Sequence, residues 1–232
     1  MESFAAIVRS RHSKRAFLTR PVDRGVLEDV LHLAAEAPST RNGQPWRVEV
    51  VTGASRDALA ARLLAEFDRG APASPDYLNQ PAAPDPATEH RAAEAGSGVL
   101  RAKGIAREDQ QARRAHLRDN LRFYGAPVEM IFHLPAGSPP GLFLETGFFL
   151  QNVMLGLAAA GLGSCPQYSV AGYADVIRAQ LALGAGRLIV CGLAVGHADT
   201  SAPVNDFRPS RAELGEFVRW HDHAPSAVEG AG

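Results

Sequence analysis

The sequence predicts an α+β fold, with one sheet and helices packed around it. Three observations carry this. Segments 47–52, 128–134 and 187–196 show the alternation or continuous apolarity of strands. Five or six other segments space their apolar residues as helices do. The stretch LETGFFLQNVMLGLAAAGLGSCPQYS, residues 144–169, carries no charge after Glu145, and none follows until Asp175. Such a stretch belongs inside something.

Composition narrows the class. A chain of 232 residues, 46% hydrophobic and 21% charged, fits one soluble globular domain over 1–232 with a real core. A net charge of −1 argues against nucleic acid or an anionic membrane as the main partner. The start, MESFAAIVRSRHSKR, has no apolar run long enough for a signal peptide. Cys165 and Cys191 form no CxxC pattern and fit a reduced, cytoplasmic setting.

Residues 2–9 read as a short helix. Arg11, His12, Ser13, Lys14 and Arg15 follow, four side chains able to carry positive charge and one hydroxyl. They suit either a solvated basic turn or the grip on an anion, since a guanidinium fork matches two phosphate oxygens. Asp23 is placed to cap a helix carrying Val26, Leu27, Val30, Leu31 and Ala34, which ends before Pro38. The loop from Pro38 through Ser39 and Asn42 to Trp46 is dense in amides and hydroxyls. It serves either as an ordinary turn or as a surface for a heteroaromatic ligand.

Residues 55–68 predict an amphipathic helix. Residues 70–88 carry five prolines and read as an irregular excursion over the surface. With the residues up to 95 it is expected to shape a substrate pocket. Residues 89–122 turn charged and helical, with breaks at 96–98 and at Gly104. Phe123 and Tyr124, at the end of that helix, are candidate pocket walls.

The stretch 143–160 predicts a helix that is apolar nearly all round, so it has no face suited to water and needs a core, an interface or a bilayer. Its uninterrupted apolar length falls short of the ~20 residues of a membrane span, and Gln151 and Asn152 are costly in lipid. Gly161 and Gly163 stop it, and Cys165-Pro166-Gln167 predicts an extended turn. A helix over 172–183 follows. The strand at 187–196 is the most apolar and predicts the centre of the sheet.

No familiar catalytic set is present. GxSxG, HExxH, a Walker loop and GxGxxG are all absent. His221 and His223 diverge on a helix and predict no metal site.

Four stretches in this order resemble the nitroreductase family of FMN-dependent oxidoreductases: SRHSKRAF (10–17), APSTRNGQPW (37–46), FFLQNVMLGLAAAGLGSCPQ (148–167) and IVCGLAVGHADTSAPVNDFRPSR (189–211). The segment 104–132 is similar to the branch containing nitrobenzoate reductases. The resemblance implies a nitroreductase-like α+β fold, a mostly antiparallel sheet surrounded by helices, in an intertwined homodimer with FMN in the interface.

It further implies that Arg11, His12, Ser13 and Arg15 hold the phosphate and ribityl chain, with Arg15 near the pyrimidine edge. Arg208 and Arg211 would complete the phosphate site. Pro38, Ser39 and Asn42 would come from the other subunit, and Pro166, Gln167, Tyr168 and Ser169 would line the N5 edge. Relatives carry Glu-Gly where Tyr168 and Ser169 stand. The implied activity is ping-pong hydride transfer from NAD(P)H through FMN to a nitroaromatic, a quinone or a similar small-molecule acceptor. An FMN-dependent dehydrogenase or dehalogenase, and a flavin-binding protein without turnover, are the alternatives.

Overall fold

In the computed structural model, which describes residues 3–222, helices α1 (Phe4–Ser10), α2 (Arg24–Ala34), α3 (Gly53–Asp68), α4 (Pro86–Ala102), α5 (Gln110–Leu121) and α6 (Pro140–Ala159) surround a four-stranded sheet. The strands are β1 (Arg47–Thr52), β2 (Val128–Pro135), β3 (Gly163–Gln167) and β4 (Arg187–Gly196). Short helices α7 (Tyr168–Ala171), α8 (Ala174–Gln180) and α9 (Leu214–Phe217) complete the order. His223 lies outside the described residues, and among those described no cluster of metal ligands forms.

The sheet runs β1-β2-β4-β3, antiparallel throughout. β4 is central, as its apolarity predicts, and β2 and β4 are buried along nearly their whole length. Successive β2 residues point to opposite faces. Val128, Met130 and Phe132 join α2 and α6 in one core, while Ile131 joins α3, α5 and α8 in the other.

Three expectations are corrected here. The Cys165-Pro166-Gln167 turn is a fourth strand, β3. Pro166 is tolerated because β3 is the outer strand of this sheet. The helix expected over 172–183 is present but shorter, as α8 over Ala174–Gln180, and a separate short helix, α7, precedes it. The break at 96–98 does not occur, because α4 runs through both glycines and Gly98 lets the Phe207 ring sit against its backbone.

Asp23 caps α2 as expected, accepting from the Gly25 and Val26 N–H groups. α6 is longer than predicted, because Pro139 and Pro140 fit the start of a helix. By length and composition it passes for a membrane span, but one face is core. Phe149 stacks on Trp46 with ring centroids 4.8 Å apart, and Gly156 lets α6 approach Val30 of α2. The opposite face of the chain is open, with Leu144 61% and Phe148 41% exposed. An all-round apolar helix is therefore only half covered by its own chain.

The proline-rich excursion is irregular only up to Asp85, which caps α4. β3 pairs only with 192–196 of β4. Beyond it, Asp76 accepts from the Ile189 N–H at 2.8 Å and the Tyr77 hydroxyl donates to the Val190 carbonyl at 2.9 Å. The excursion thus closes a sheet edge that would otherwise be unpaired.

Candidate active site

The basic motif lies in an extended segment beside β3. Ser13 bridges to Ser164, the Lys14 N–H donates to the Ser164 carbonyl at 2.9 Å, and Phe17 bridges to Ala198. Extended backbone sends alternate side chains to opposite sides. Arg11, Ser13 and Arg15 all act on the Cys165 thiol. His12 and Lys14 point the other way. There the His12 Nδ1 lies 2.8 Å from the Ser10 carbonyl, and Lys14 Nζ donates to His12 Nε2 at 2.8 Å and to the Asn205 carbonyl at 3.0 Å. The imidazole of His12 is thus engaged by the protein, while the two arginines and the serine share one side.

The segment is pinned by Asn205, which the residue reading missed. This side chain is buried. Its Oδ1 accepts from the Arg15 N–H at 2.7 Å, and its Nδ2 donates to the carbonyls of Ala16 at 2.7 Å and Asp199 at 2.9 Å. A side-chain amide can satisfy three backbone groups at once, which a hydroxyl cannot do with this geometry. The only trace in the sequence is one asparagine in a polar loop.

Arg208 and Arg211 return from the far end of the chain to the same place. The Arg11 guanidinium is pushed down in pKa by burial first, and then by Arg211 and Arg208. Lys14 is lowered by burial and by Arg208. Arg208 donates to the Arg9 carbonyl at 2.5 Å, and Arg211 donates to the carbonyls of Pro209 and Ser210. None of the three arginines meets a carboxylate among the described residues. Arg11 is half-buried and Arg208 and Arg211 are exposed, and gathering like charges without counter-ions is unfavourable. The arrangement fits a bound dianion such as a phosphate.

A cavity of about 940 Å³ opens at Arg15, lined also by Phe17, Lys103, Asp119, Arg122 and Tyr124 among others, while Arg11, His12, Lys14 and Arg208 line a separate one of about 270 Å³. Lys103 bonds Asp119 at 2.9 Å and lies over the Tyr124 ring. The Tyr124 hydroxyl donates to Asn120 Oδ1, and burial raises its pKa. Phe123 and Tyr124 both have positive φ, near 59° and 54°, an uncommon conformation for aromatic residues. That twist turns Tyr124 to the cavity and drives Phe123 fully into the core. Phe123 is therefore no pocket wall, and the cavity wall here is Tyr124.

Gln167 ends β3 with its side chain buried, and its Nε2 donates to the Asn120 carbonyl at 2.6 Å. Pro166 and Ser169 on either side are exposed. The Tyr168 side chain leaves the site, and its hydroxyl donates to the Tyr77 carbonyl. Residues 70–85 reach this segment through that bond, the edge-on packing of the Tyr77 ring on the Tyr168 ring and the Ser74 N–H bond to the Gly172 carbonyl, and none of them lines the cavity at Arg15.

The Pro38–Asn42 loop is not brought to the cluster within one chain. The Thr40 N–H donates to Glu145 near the start of α6, whereas Ala158 at its end lines the small cavity with Arg11 and Arg208. At 1.5 Å rise per residue those points on α6 are about 20 Å apart.

The profile of the nitroreductase family matches residues 8–197. The chain is 35% identical over 214 residues to a nitroreductase, NfnB, of Mycolicibacterium smegmatis (strain ATCC 700084 / mc(2)155), covering 92% of this chain and 91% of that one. It is 36% identical over 223 residues to a 4-nitrobenzoate reductase of Pseudomonas putida, covering 94% and 96%. Among solved structures, the FMN and NADPH-dependent nitroreductase NfnB of sphigopyxis sp. strain HMH superposes with a TM-score of 0.93 at 37% identity, over 96% of this chain and all of that one. Fold, order of motifs and overall similarity agree: this chain belongs to the nitroreductase family.

Proposed function

We propose that the chain is an FMN-dependent NAD(P)H oxidoreductase that reduces nitroaromatics or similar acceptors by ping-pong hydride transfer. It works as a homodimer of single nitroreductase-like domains (1–232). The observation that carries this reading is the arginine cluster of Arg11, Arg208 and Arg211, unpaired among the described residues, with Arg15 of the same basic segment lining a cavity large enough for a planar ring system. The relatives described above as FMN- and NADPH-dependent, and as acting on 4-nitrobenzoate, supply the chemical class.

Arg11, Arg208 and Arg211 hold the phosphate, and Ser13 adds a hydroxyl. His12 braces the segment from behind. Arg15 would hold the pyrimidine edge of FMN, where a fixed cation would stabilise negative charge. Pro166, Gln167, Tyr168 and Ser169 border the N5 edge, Tyr168 through its backbone alone. FMN supplies the hydride chemistry itself, so the protein's work is placement and charge. No acid–base set is needed for that work.

The loop carrying Pro38, Ser39 and Asn42 reaches the flavin of the other protomer. Its position at the start of α6, about 20 Å along the helix from Ala158 beside Arg11 and Arg208, and the open apolar stripe of α6 both support a second copy. Cys165 and Cys191 are free and buried, which supports a reducing, cytoplasmic setting.

The test is Arg11→Ala combined with Arg211→Ala. Retained FMN is expected to fall at least tenfold with the dimer intact, and unchanged occupancy contradicts the assignment. Mixing the wild type anaerobically with NADPH separates the activities. Rapid bleaching is expected of a reductase, bleaching only by an organic substrate marks a dehydrogenase, and no bleaching marks a binding protein.

A further inference from the structure

We infer that Glu129 is a neutral carboxylic acid that hydrogen-bonds, through one buried water, to the side chain of Gln167, and so fixes the end of β3 that borders the proposed flavin site. Glu129 sits mid-strand in β2 and is fully buried. Neither carboxyl oxygen has a hydrogen-bond partner among the described residues, and the same is true of the Gln167 Oε1.

Register brings these two residues to the same glycine. Gln167 pairs with Gly192 across β3 and β4. Glu129 lies two residues along β2 from Ile131, which pairs with Gly192 from the other side. A Cβ placed on Gly192 would lie 2.1 Å from Glu129 Oε1. The carboxyl therefore occupies the space above the glycine, and Gln167 approaches the same glycine from the opposite strand. Val170 packs over the remainder.

An ionised carboxylate is poorly served here. Arg56 is the cation acting on it and the Leu193 N–H the nearby donor, and neither forms a hydrogen bond with it. Cys165 and Cys191 are the other titratable groups nearby, both thiols held neutral by burial. Burial holds the Glu129 carboxyl well above the usual carboxylate range. A neutral carboxyl carries an O–H, and Gln167 Oε1 needs a donor. A water between the two carboxyl oxygens and Gln167 Oε1 finds the two to four polar partners that buried waters use. Glu129 is a positioning residue in this account. It acts on Gln167, whose other end already holds Asn120 and through it the Tyr124 hydroxyl.

The consequence for FMN rests on the function proposed above, so the test has two arms. Infrared difference spectra of wild type against Glu129→Gln are expected to show a protonated carboxyl band at neutral pH that the variant lacks. Absence of the band overturns the inference whether or not flavin binds.

For the second arm, Glu129→Gln keeps a donor, and FMN affinity and midpoint potential are expected to stay at wild-type values. Glu129→Met fills the space without a donor. Its FMN affinity is expected to fall about tenfold, the value of one hydrogen bond, with a shifted midpoint potential. In a Gln167→Met background Glu129→Met is expected to add nothing. A Glu129→Met protein matching wild type in affinity and potential overturns the role. If Glu129→Met does not fold, loss of hydrogen-exchange protection at the Gln167 side-chain amide in Glu129→Leu replaces it, and unchanged protection counts against the role. A wild-type chain that binds no FMN refutes the function and leaves the infrared and amide readouts to decide the pair.

Discussion

Asn205 is the residue on which the basic segment hangs, and its loss has a calculable effect. Asn205→Ala leaves the Arg15 N–H and two carbonyls short of partners in a buried place. A cost of about 2–4 kcal/mol follows, with weaker FMN retention, measured by urea unfolding and flavin release. Gly192 is fixed by the carboxyl above it. Gly192→Ala is expected to destabilise by about 1–3 kcal/mol, and Glu129→Ala in the same chain to recover part of the loss. His133 is buried between strands, with Arg187 Nε donating to its Nδ1 at 2.8 Å and Glu49 accepting at 3.1 Å from Nε2. Burial lowers its pKa, outweighing the pull of Glu49, and burial with Lys103 lowers that of His116. Below the unfolded value of about 6.5 the unfolded chain binds more protons than the native one. Stability is therefore full above that pH and falls as the pH drops through it. His133→Gln is expected to flatten that decline in a pH series of unfolding midpoints.

At the scale of elements, α6 and β3 show what the sequence does and does not disclose. The 3.6-residue spacing and the Asp23 cap made α2 readable, and uninterrupted apolarity marked β4 as central. β3 was hidden because its proline and glycine read as a turn, and only pairing with β4 makes five such residues a strand. Phe123 and Tyr124 look alike in sequence. The left-handed turn that seals Phe123 in the core and sets the largely buried Tyr124 at a cavity wall is a property of tertiary packing. The arginine cluster was legible as a basic motif, but the side-by-side alternation within it and the pin at Asn205 needed coordinates. α6 itself was legible as a helix with no solvated face, and the structure leaves Leu144 and Phe148 in the open. Phe148→Asp places a charge on that stripe. It is expected to shift the dimer to monomer in light scattering, with loss of bound FMN, while helix content by circular dichroism is retained.

For the whole molecule, the two ends of the chain and the two ends of α6 define the account. Arg11 and Arg211 meet across 200 positions of sequence, whereas the Pro38–Asn42 loop stays a helix length away from them. The exposed Leu214, Phe217 and Trp220 of the tail add further apolar surface of the kind a partner covers. In the homodimer proposed above the second copy completes the site, so flavin binding and dimerisation are expected to be thermodynamically linked. Dilution is then expected to release FMN, and added FMN to strengthen the dimer. The most direct measurement is sedimentation velocity of the FMN-incubated protein, followed at both a protein and a flavin wavelength. Flavin absorbance is expected to travel with the dimer at one FMN per chain. Flavin that stays at the meniscus, or that travels with a monomer, would contradict it.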